Sequence, residues 1–347
     1  MKAIVYHRAN EFSLEDTAIP ECGDDQALIR VKSCGICKTD VHIHQGHFTS
    51  RFPLVPGHEF SGIVEKTGKR AGNLAAGDRV VADNASLCGD CYYCRRDKPL
   101  YCENFHSLGV NGPGGFADFV VVDANKVFRI PDDLDFDRAS FTEPVACAVH
   151  GMDRIGAQCG DQALIFGAGP AGIILAQLLQ LGGASDVLLA APTLFKLKAA
   201  EELGIRETLQ ISRGDHAANE KLIRERYPKG FDIVIDATGA GAVAGQCFRF
   251  AKKGAKIIFY GVYNESETIA MNPYRIFADE LTVIGSCAQT HCFPRALQYL
   301  TKNTVRVDTL ISRHYRLEEY ATALDTVISG KESLKVIINP GSCRYSK

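Results

Sequence analysis

The chain has 347 residues, of which 46% are hydrophobic, and its 39 basic residues nearly balance its 41 acidic residues. This length exceeds what one hydrophobic core usually holds, so we expect two domains. The near-neutral charge argues against nucleic-acid binding or attraction to an anionic membrane, and it favours a small-molecule partner.

The N-terminal sequence and the cysteine content indicate the compartment. The N-terminal stretch MKAIVYHRAN breaks after a few apolar positions, which argues against the hydrophobic segment of a secretion signal. No apolar stretch reaches the length that spans a bilayer. Thirteen cysteines in such a chain indicate a reducing compartment in which thiolates bind metal, so we expect a cytoplasmic protein.

Short β-rich runs alternate with glycine and proline over roughly the first 150 residues, which predicts a mostly β domain whose chemistry lies on loops. The predicted strands are Gln26 to Val31, Phe60 to Glu65 and Phe116 to Val122. A further strand-like run, Lys335 to Ile338, is expected to return to this domain from the end of the chain.

Four cysteines are clustered inside the first domain, at Cys88, Cys91, Cys94 and Cys102. Short Cys-x-x-Cys steps let thiolates converge on one tetrahedral zinc. A disulfide cluster is the alternative, but cysteines at steps of three bond poorly to one another and nothing marks the chain as secreted. A nucleic-acid-binding finger is disfavoured because no basic stripe follows the cysteines. The spacing therefore predicts a structural zinc lobe.

From about residue 160, apolar strands alternate with helical stretches, a pattern that predicts a parallel sheet with crossover helices. The predicted strands are Ala163 to Phe166, Val187 to Ala190, Ile233 to Asp236, Lys256 to Tyr260 and Leu281 to Ser286. The predicted helices are Ile173 to Leu181 and Lys196 to Leu203. Strand, helix and strand in this order indicate a doubly wound α/β domain.

A glycine-rich loop directly follows the first of these strands. It reads Gly167-Ala-Gly169-Pro170-Ala171-Gly172 and opens a helix. Glycines at this spacing bring the backbone close to a pyrophosphate at the helix N-terminus. A chance glycine turn is the alternative, but the flanking strand and helix favour a dinucleotide site.

The end of the second strand bears on the choice between NAD and NADP. An NAD site usually places an acid there to hold the ribose 2′-hydroxyl, but this chain has Ala191, and Asp186 stands at the wrong end of the strand. Without that carboxylate a 2′-phosphate is not repelled, and Thr193, Lys196 or Lys198 can meet it. We therefore expect NADP to be preferred over NAD, although the lysines can equally form a solvated helix face.

A second metal site is suggested by Cys37, His58 and Glu143, which offer sulfur, nitrogen and oxygen ligands. A catalytic zinc has three protein ligands and one open position. Spacing alone leaves a buried thiol and a core histidine as equally good readings, because the three residues are spread over about a hundred positions.

Several motifs together resemble one family in their order and content. They are Gly35-Ile-Cys37-Lys-Thr-Asp40, Gly57-His58-Glu59, Gly77-Asp-Arg-Val80, the four-cysteine lobe, Gly114-Gly115-Phe-Ala-Asp-Phe-Val120 and the Gly167 loop. Over essentially its whole length the chain resembles the zinc-dependent medium-chain dehydrogenases. The resemblance implies a GroES-like catalytic domain over residues 1–152 and 287–347 and a Rossmann dinucleotide-binding domain over residues 153–286.

The segment Thr142-Glu143-Pro144-Val145 resembles the polyol branch of that family, which includes sorbitol, arabinitol and galactitol-phosphate dehydrogenases. Simple alcohol dehydrogenases have a cysteine as the third zinc ligand, and Cys147 lies only four residues beyond Glu143. We prefer Glu143 because of the Glu-Pro resemblance, although either atom type can bind zinc.

The resemblance also implies roles for the residues around the catalytic zinc. Cys37, His58 and Glu143 would hold the metal, which lowers the pKa of the substrate hydroxyl before hydride passes to the nicotinamide. Glu59 would be an exchangeable ligand or a partner of the ligands. Thr39 would pass the alcohol proton outward with His42 as its exit to solvent. Asp40 would orient a zinc-bound histidine or cap a loop.

The resemblance therefore implies an oxidoreductase that interconverts a polyol, such as D-arabinitol or sorbitol, and a ketose. It implies two zinc ions per chain, one catalytic and one structural, and a homodimer or homotetramer. Two alternatives stay open. One is an NADP-dependent reductase of simple aldehydes or alcohols, and the other is a non-catalytic NADPH-binding redox sensor whose zinc is only structural.

Overall fold

The architecture follows from β-rich runs in the first part of the chain and alternating strands and helices in the second. A computed structural model describes residues 1–48, 50–330 and 332–341. It separates into two units, one of residues 1–146 with 290–347 and the other of residues 147–289. The family resemblance implied boundaries at 152/153 and 286/287, which are six residues after the first and three residues before the second of these divisions.

The strands, in chain order, are β1 (Lys2–Arg8), β2 (Glu11–Asp16), β3 (Gln26–Ile36), β4 (Glu59–Thr67), β5 (Arg79–Ala82), β6 (Ala85–Ser86), β7 (His106–Ser107), β8 (Phe119–Asp123), β9 (Val127–Arg129), β10 (Gln162–Phe166), β11 (Asp186–Ala191), β12 (Glu207–Gln210), β13 (Phe231–Asp236), β14 (Ala251–Phe259), β15 (Thr282–Gly285), β16 (Ile311–Tyr315) and β17 (Lys335–Ile338).

The α-helices are α1 (Lys38–His44), α2 (Phe136–Ser140), α3 (Thr142–Ile155), α4 (Pro170–Leu181), α5 (Leu194–Glu202), α6 (His216–Arg226), α7 (Gly241–Phe250), α8 (Pro273–Ala278), α9 (Phe293–Thr301) and α10 (Tyr320–Ser329). Short 3-10 turns cover Cys94–Arg96, Pro99–Tyr101, Ala124–Lys126, Asp308–Leu310 and Leu317–Glu319.

The first unit is built on a sheet with strand order β16-β17-β3-β4-β5-β9, and β8 pairs with β3. The long strand β3 lies at its centre, antiparallel to both β4 and β17. Its apolar side chains pack into a core with Tyr6, Phe116 and Tyr320, which are fully buried. Burial of large aromatic side chains of this kind dominates core stability. The same strand leads directly to Cys37, so this core fixes the start of the candidate metal site.

The second unit contains six parallel strands in the order β12-β11-β10-β13-β14-β15. The side chains of Ala163, Leu164 and Ile165 in the central strand β10 are fully buried. Strands covered on both faces read as continuous apolar runs, which explains why this sheet is recognisable in the sequence. The strand order reverses at β10, as in doubly wound dinucleotide-binding folds. The predicted Rossmann class is thereby confirmed.

Most predicted elements are present with shifted ends. One prediction was wrong at its start, since β8 begins at Phe119 and not at Phe116. The preceding residues make isolated contacts instead, in which the N–H of Ile4 donates to the carbonyl of Phe116 at 2.9 Å. Strand β14 begins five residues before the predicted Lys256, at Ala251.

The described helices include none that is both long enough and apolar enough to cross a membrane.

Candidate active site

The four predicted lobe cysteines come together in the first unit. The sulfur atoms of Cys88, Cys91, Cys94 and Cys102 all lie within 4.8 Å of one another, and all four are free thiols. The sulfurs of Cys88 and Cys102 are 3.4 Å apart. A tetrahedral zinc with bonds of about 2.3 Å separates its sulfur ligands by roughly 3.8 Å. The sulfur separations of the lobe therefore suit the four ligands of a zinc ion.

Backbone N–H groups in the lobe favour the thiolate that a metal requires. The N–H groups of Cys94 and Glu103 hydrogen-bond the sulfur of Cys91 and lower its pKa to about 6. Hydrogen bonds to the charged form of an acid stabilise that form. The backbone therefore prepares one sulfur of the lobe as an anionic ligand.

A second cluster brings together Cys37, His58 and Glu59, whose potential ligand atoms also lie within 4.8 Å of one another. Cys37 follows the end of β3, and His58 immediately precedes β4. These two strands are antiparallel, and Gly35 of β3 is opposite Glu59 of β4. Sheet pairing therefore places these three side chains together. The sequence predicted Glu143 as the third ligand and gave Glu59 the role of an exchangeable ligand or partner.

Asp40 contacts two parts of this cluster. One oxygen, Oδ2, accepts a hydrogen bond from the backbone N–H of Cys37 at 2.8 Å and so caps α1. The other oxygen, Oδ1, lies 3.6 Å from Nδ1 of His58, and both of these buried atoms lack a hydrogen-bond partner among the described residues. The carboxylate therefore caps the start of α1, and its second oxygen faces the candidate histidine ligand.

The charges around His58 determine its protonation in the metal-free site. Burial lowers the pKa of His58, but the negative charges of Asp40 and Cys37 outweigh burial and raise it well above its usual value. The same two anions that favour a protonated His58 would also attract a metal cation to its ring. The site therefore has the excess negative charge that a divalent metal neutralises.

Lys335 completes the cluster, and sequence reasoning missed it. Its ammonium group donates hydrogen bonds to both carboxylate oxygens of Glu59, at 2.5 and 2.7 Å, and both residues are buried. Gly35 makes room for this pair, because a Cβ added there would lie 2.3 Å from Oε2 of Glu59. The only signal in the sequence is a lysine at the start of the otherwise apolar strand β17.

Glu143 and Cys147 both lie on α3, four positions apart, and therefore on one face of the helix. The charge of Glu143 contributes to raising the pKa values of His58 and Lys335, which places this carboxylate near the cluster. The division between the two units falls between Ala146 and Cys147. Of the two candidate third ligands, Glu143 therefore lies in the first unit with Cys37 and His58, whereas Cys147 lies in the second unit.

Thr39 and His42 follow Cys37 along α1. The Cys37 thiol donates to the Thr39 hydroxyl at 3.6 Å, so this hydroxyl borders the candidate metal site. Both ring nitrogens of His42 are buried and lack a hydrogen-bond partner among the described residues. Burial, followed by the charges of Lys38 and His47, lowers the pKa of His42. A neutral imidazole of this kind can accept a proton.

The glycine loop of the second unit connects β10 to α4, as the sequence predicted. Gly169 is the N-cap of α4, and Pro170 and Ala171 form its first turn. A Cβ on Gly172 would lie 1.9 Å from the carbonyl oxygen of Gly167, so only glycine allows this close turn. A Cβ on Gly169 would meet nothing within 4 Å. The helix N-terminus is therefore open to an anionic group.

The structure places the predicted specificity residues at the adjacent strand. Strand β11 ends at Ala191, whereas Asp186 is its first residue and accepts a hydrogen bond from Gln162 at 2.9 Å. Thr193 is the N-cap of α5, its side chain makes no capping bond, and Lys196 lies in the first turn. The expected acidic position at the end of the second strand is thus occupied by alanine.

Known proteins resemble this chain over nearly its whole length. Residues 23–132 match the alcohol dehydrogenase GroES-like domain, and residues 170–302 match the zinc-binding dehydrogenase domain. D-arabinitol dehydrogenase 1 of Uromyces fabae is 40% identical, covering 98% of this chain and 97% of its own. Sorbitol dehydrogenase of Halalkalibacterium halodurans is 30% identical, covering 98% of this chain and 99% of its own.

A solved structure has the same fold. A zinc-binding dehydrogenase from Sinorhizobium meliloti 1021 bound to NADP superposes with a TM-score of 0.90 at 31% identity, over 98% of this chain and 99% of that one. Together with the two matched domains and the clustered cysteine, histidine and glutamate side chains, these likenesses show that the chain belongs to the zinc-dependent medium-chain dehydrogenases, in the branch that contains the polyol dehydrogenases.

Proposed function

We propose that this protein oxidises a secondary hydroxyl of a sugar alcohol, D-arabinitol or a sorbitol-like polyol, to a ketose and passes the hydride to NADP. The main support for this proposal is the 40% identity to a D-arabinitol dehydrogenase over 98% of the chain. The Cys37, His58 and Glu59 cluster supports it. A site that contains oxygen ligands is harder than an all-thiolate site and suits neighbouring hydroxyls.

Catalysis would centre on Cys37, His58 and Glu143 as the ligands of a zinc ion. Zinc in such a site acts as a Lewis acid and lowers the pKa of the alcohol. Thr39, whose hydroxyl lies 3.6 Å from the Cys37 sulfur, would accept the alcohol proton and donate its own to His42. A neutral His42 has one ring nitrogen that can accept it, and neither ring nitrogen has a hydrogen-bond partner among the described residues. Asp40 would hold His58 in orientation, and Glu59 would exchange between Lys335 and the metal.

Each chain would bind two zinc ions, one at this cluster and one at the four-cysteine lobe. Metal analysis tests the count, with an expected two zinc ions per wild-type chain and one in Cys37→Ser or in Cys94→Ser. A wild-type chain with one zinc that is lost in Cys94→Ser and retained in Cys37→Ser would favour a non-catalytic sensor. Because the lobe works with reduced thiols, we place the protein in the cytoplasm.

NADP is the proposed preferred cofactor because no carboxylate stands at the end of β11, where Ala191 lies. The open N-terminus of α4 would receive the pyrophosphate through the backbone N–H groups of Gly169, Ala171 and Gly172, and Pro170 would start the helix without a donor. Thr193 and Lys196 stand in the segment that follows β11. The KM values for NADP and NAD compare the two cofactors directly.

We further propose that the protein forms a homodimer, or a tetramer made of such dimers. Strand β15 is the edge of the second sheet, and Val283 on it is exposed. Tyr274 and Phe277 on α8 are 71% and 79% exposed. An uncovered edge strand with apolar neighbours is a pairing surface. Light scattering of Val283→Arg with Phe277→Arg should give monomers, whereas an unchanged mass would refute this interface.

The decisive experiment is NADP reduction by the purified protein with D-arabinitol, sorbitol, xylitol, mannitol and galactitol 1-phosphate. We expect turnover of one polyol that is faster with NADP than with NAD and absent in Cys37→Ser. No turnover with any polyol and either cofactor would refute the polyol assignment. Aldehyde reduction by the same protein would then identify it as a simple reductase.

A further inference from the structure

The loop after β12 stands beside the loop that carries the predicted cofactor-specificity residues. Strands β11 and β12 are parallel neighbours, and Ala191 is opposite Gln210. The carboxyl ends of parallel strands meet at one edge of the sheet, where doubly wound folds bind nucleotides. The Gly167 loop, the segment after Ala191 and the segment after Gln210 therefore follow one another along this edge.

Hydrogen bonds tie the two segments together. The N–H of Ile211 donates to the carbonyl of Ala191 at 3.1 Å, and the side chain of Gln210 donates to the carbonyl of Pro192 at 3.3 Å. Arg213 is two residues beyond Ile211, a distance of at most about 7 Å along the chain. Its guanidinium group thus starts from the same small region as Thr193.

Hydrogen bonds from the following helix, α6, fix the backbone of the loop after β12. Asn219 is buried, accepts a hydrogen bond from the N–H of Ser212 at 2.8 Å, and donates one to its carbonyl at 2.7 Å. The Ser212 hydroxyl accepts a hydrogen bond from the N–H of Asp215 at 3.3 Å, and Asp215 caps α6. A fixed backbone reduces the entropy lost when a side chain binds a ligand.

Arg213 itself is exposed and makes no ion pair or hydrogen bond within the described residues. Most other arginines of this unit are engaged, as Arg224 is with the carbonyl of Pro228 and Arg249 with Glu220. A guanidinium group offers a planar set of donors that matches a phosphate. Arg213 therefore offers a guanidinium group without a partner among the described residues. It lies at the edge of the sheet where β11 ends at an alanine and not at an acid.

We propose that Arg213, reaching from the loop after β12, binds the 2′-phosphate of NADP together with Thr193 from the loop after β11. This assignment rests on the proposed preference for NADP. NADP sites often hold the 2′-phosphate with an arginine, and residues 192–198, which follow Ala191, contain none. Arg213 was not identified from the sequence because it follows β12 and lies more than twenty positions after Ala191.

The test is titration calorimetry of the full-length protein with adenosine 2′,5′-bisphosphate and with 5′-AMP, which differ only in the 2′-phosphate. Arg213→Gln should weaken binding of the bisphosphate about ten-fold or more and leave 5′-AMP unchanged, since a charge-assisted bond is lost. Arg213→Lys should retain part of the affinity. Arg206→Gln is the matched control, because Arg206 is an exposed arginine at the opposite end of β12.

The outcomes separate this assignment from the proposed function. If Arg213→Gln binds the bisphosphate as Arg206→Gln does, while the wild type prefers it over 5′-AMP, Arg213 is a solvated surface residue and the NADP preference stands. If the wild type binds both nucleotides equally, the preference and the role of Arg213 are both refuted, and the dehydrogenase activity is unaffected by that result. A KM increase for NADP alone, with kcat unchanged, is the corresponding kinetic result.

Discussion

Lys335 and Glu59 form a buried ion pair inside the cluster proposed to hold the catalytic zinc. The ammonium nitrogen lies 2.5 and 2.7 Å from the two carboxylate oxygens, and the lysine side chain is only 6% exposed. The carboxylate therefore has two alternative cations, the lysine and a metal. Removing one partner of a buried pair leaves an uncompensated charge.

Lys335→Met is expected to destabilise the metal-free protein by about 3–5 kcal/mol, because Glu59 then remains buried without a counter-charge. Added zinc should recover part of this loss, since Glu59 gains a second cation as its partner. Urea unfolding of chelator-treated and zinc-loaded protein measures both quantities. The double variant Lys335→Met with Glu59→Gln should be more stable than the single variant when metal-free. Equal stability of the single variant and the wild type without metal would contradict this reading of the pair.

Asp40→Asn is expected to weaken zinc binding at the Cys37 and His58 cluster by about 10- to 100-fold. The substitution preserves an oxygen that can accept from the Cys37 N–H, but it removes the negative charge that faces Nδ1 of His58 at 3.6 Å. Competition with a chelator of known affinity measures the change.

Asp215→Asn serves as the control for Asp40→Asn, because Asp215 also caps a helix but lies in the second unit. It should leave zinc affinity unchanged. Equal zinc affinities in the two variants and the wild type would show that Asp40 is a helix cap and nothing more.

The fold of the second unit is predictable because its strands are apolar on both faces. The apolar run Ala163 to Phe166 predicts a buried strand from its own composition, without reference to the strands beside it. The start of the following helix at Pro170 is three residues earlier than predicted, because a proline at the first helical position reads as part of a turn. The local hydrophobic pattern therefore predicts that a strand or helix exists, but it does not fix the residue at which the element begins.

Motifs identify the candidate metal ligands, whereas the residues that contact these ligands leave no such motif. Lys335 is 276 positions away from Glu59, and the two meet only because β3 pairs with β17 on one side and with β4 on the other. Nothing near Lys335 in the sequence reveals a partner at that separation. The residues before Phe119 were mistaken for strand because their composition is β-rich, although their backbone makes only isolated contacts.

Gly35→Ala is expected to destabilise the protein by about 1–3 kcal/mol, the usual cost of overpacking. The new methyl group would overlap Oε2 of Glu59 and press on the side chain of Lys335, whose Cδ would lie 3.1 Å away. Urea unfolding gives the magnitude. Gly245→Ala is the control, since its Cβ meets nothing within 4 Å and it lies within α7, where alanine favours the helix by roughly 0.5–1 kcal/mol. Similar stability of the two variants would show that Glu59 and Lys335 move away from the new methyl group without loss of folding free energy.

Asp232→Asn is expected to lower stability at neutral pH and to have a smaller effect in acid. Partial burial alone raises the pKa of Asp232, but hydrogen bonds from Lys252 and from the backbone N–H of Gln162, at 2.8 and 2.9 Å, outweigh it and lower the pKa below its usual value. A carboxylate whose pKa is lower in the folded protein stabilises the fold above its unfolded pKa of about 3.9. That stabilisation disappears as the pH falls through the folded pKa.

Because the pair is partly exposed, we expect a loss of at most about 1 kcal/mol at pH near 7. Urea unfolding between about pH 7 and pH 3 should show the wild type and Asp232→Asn converging towards the acid end. Asp133→Asn provides the comparison, since Asp133 is exposed and makes no ion pair or hydrogen bond within the described residues. A gap between wild type and Asp232→Asn that stays constant over this range would show that the carboxylate acts through packing and not through its charge.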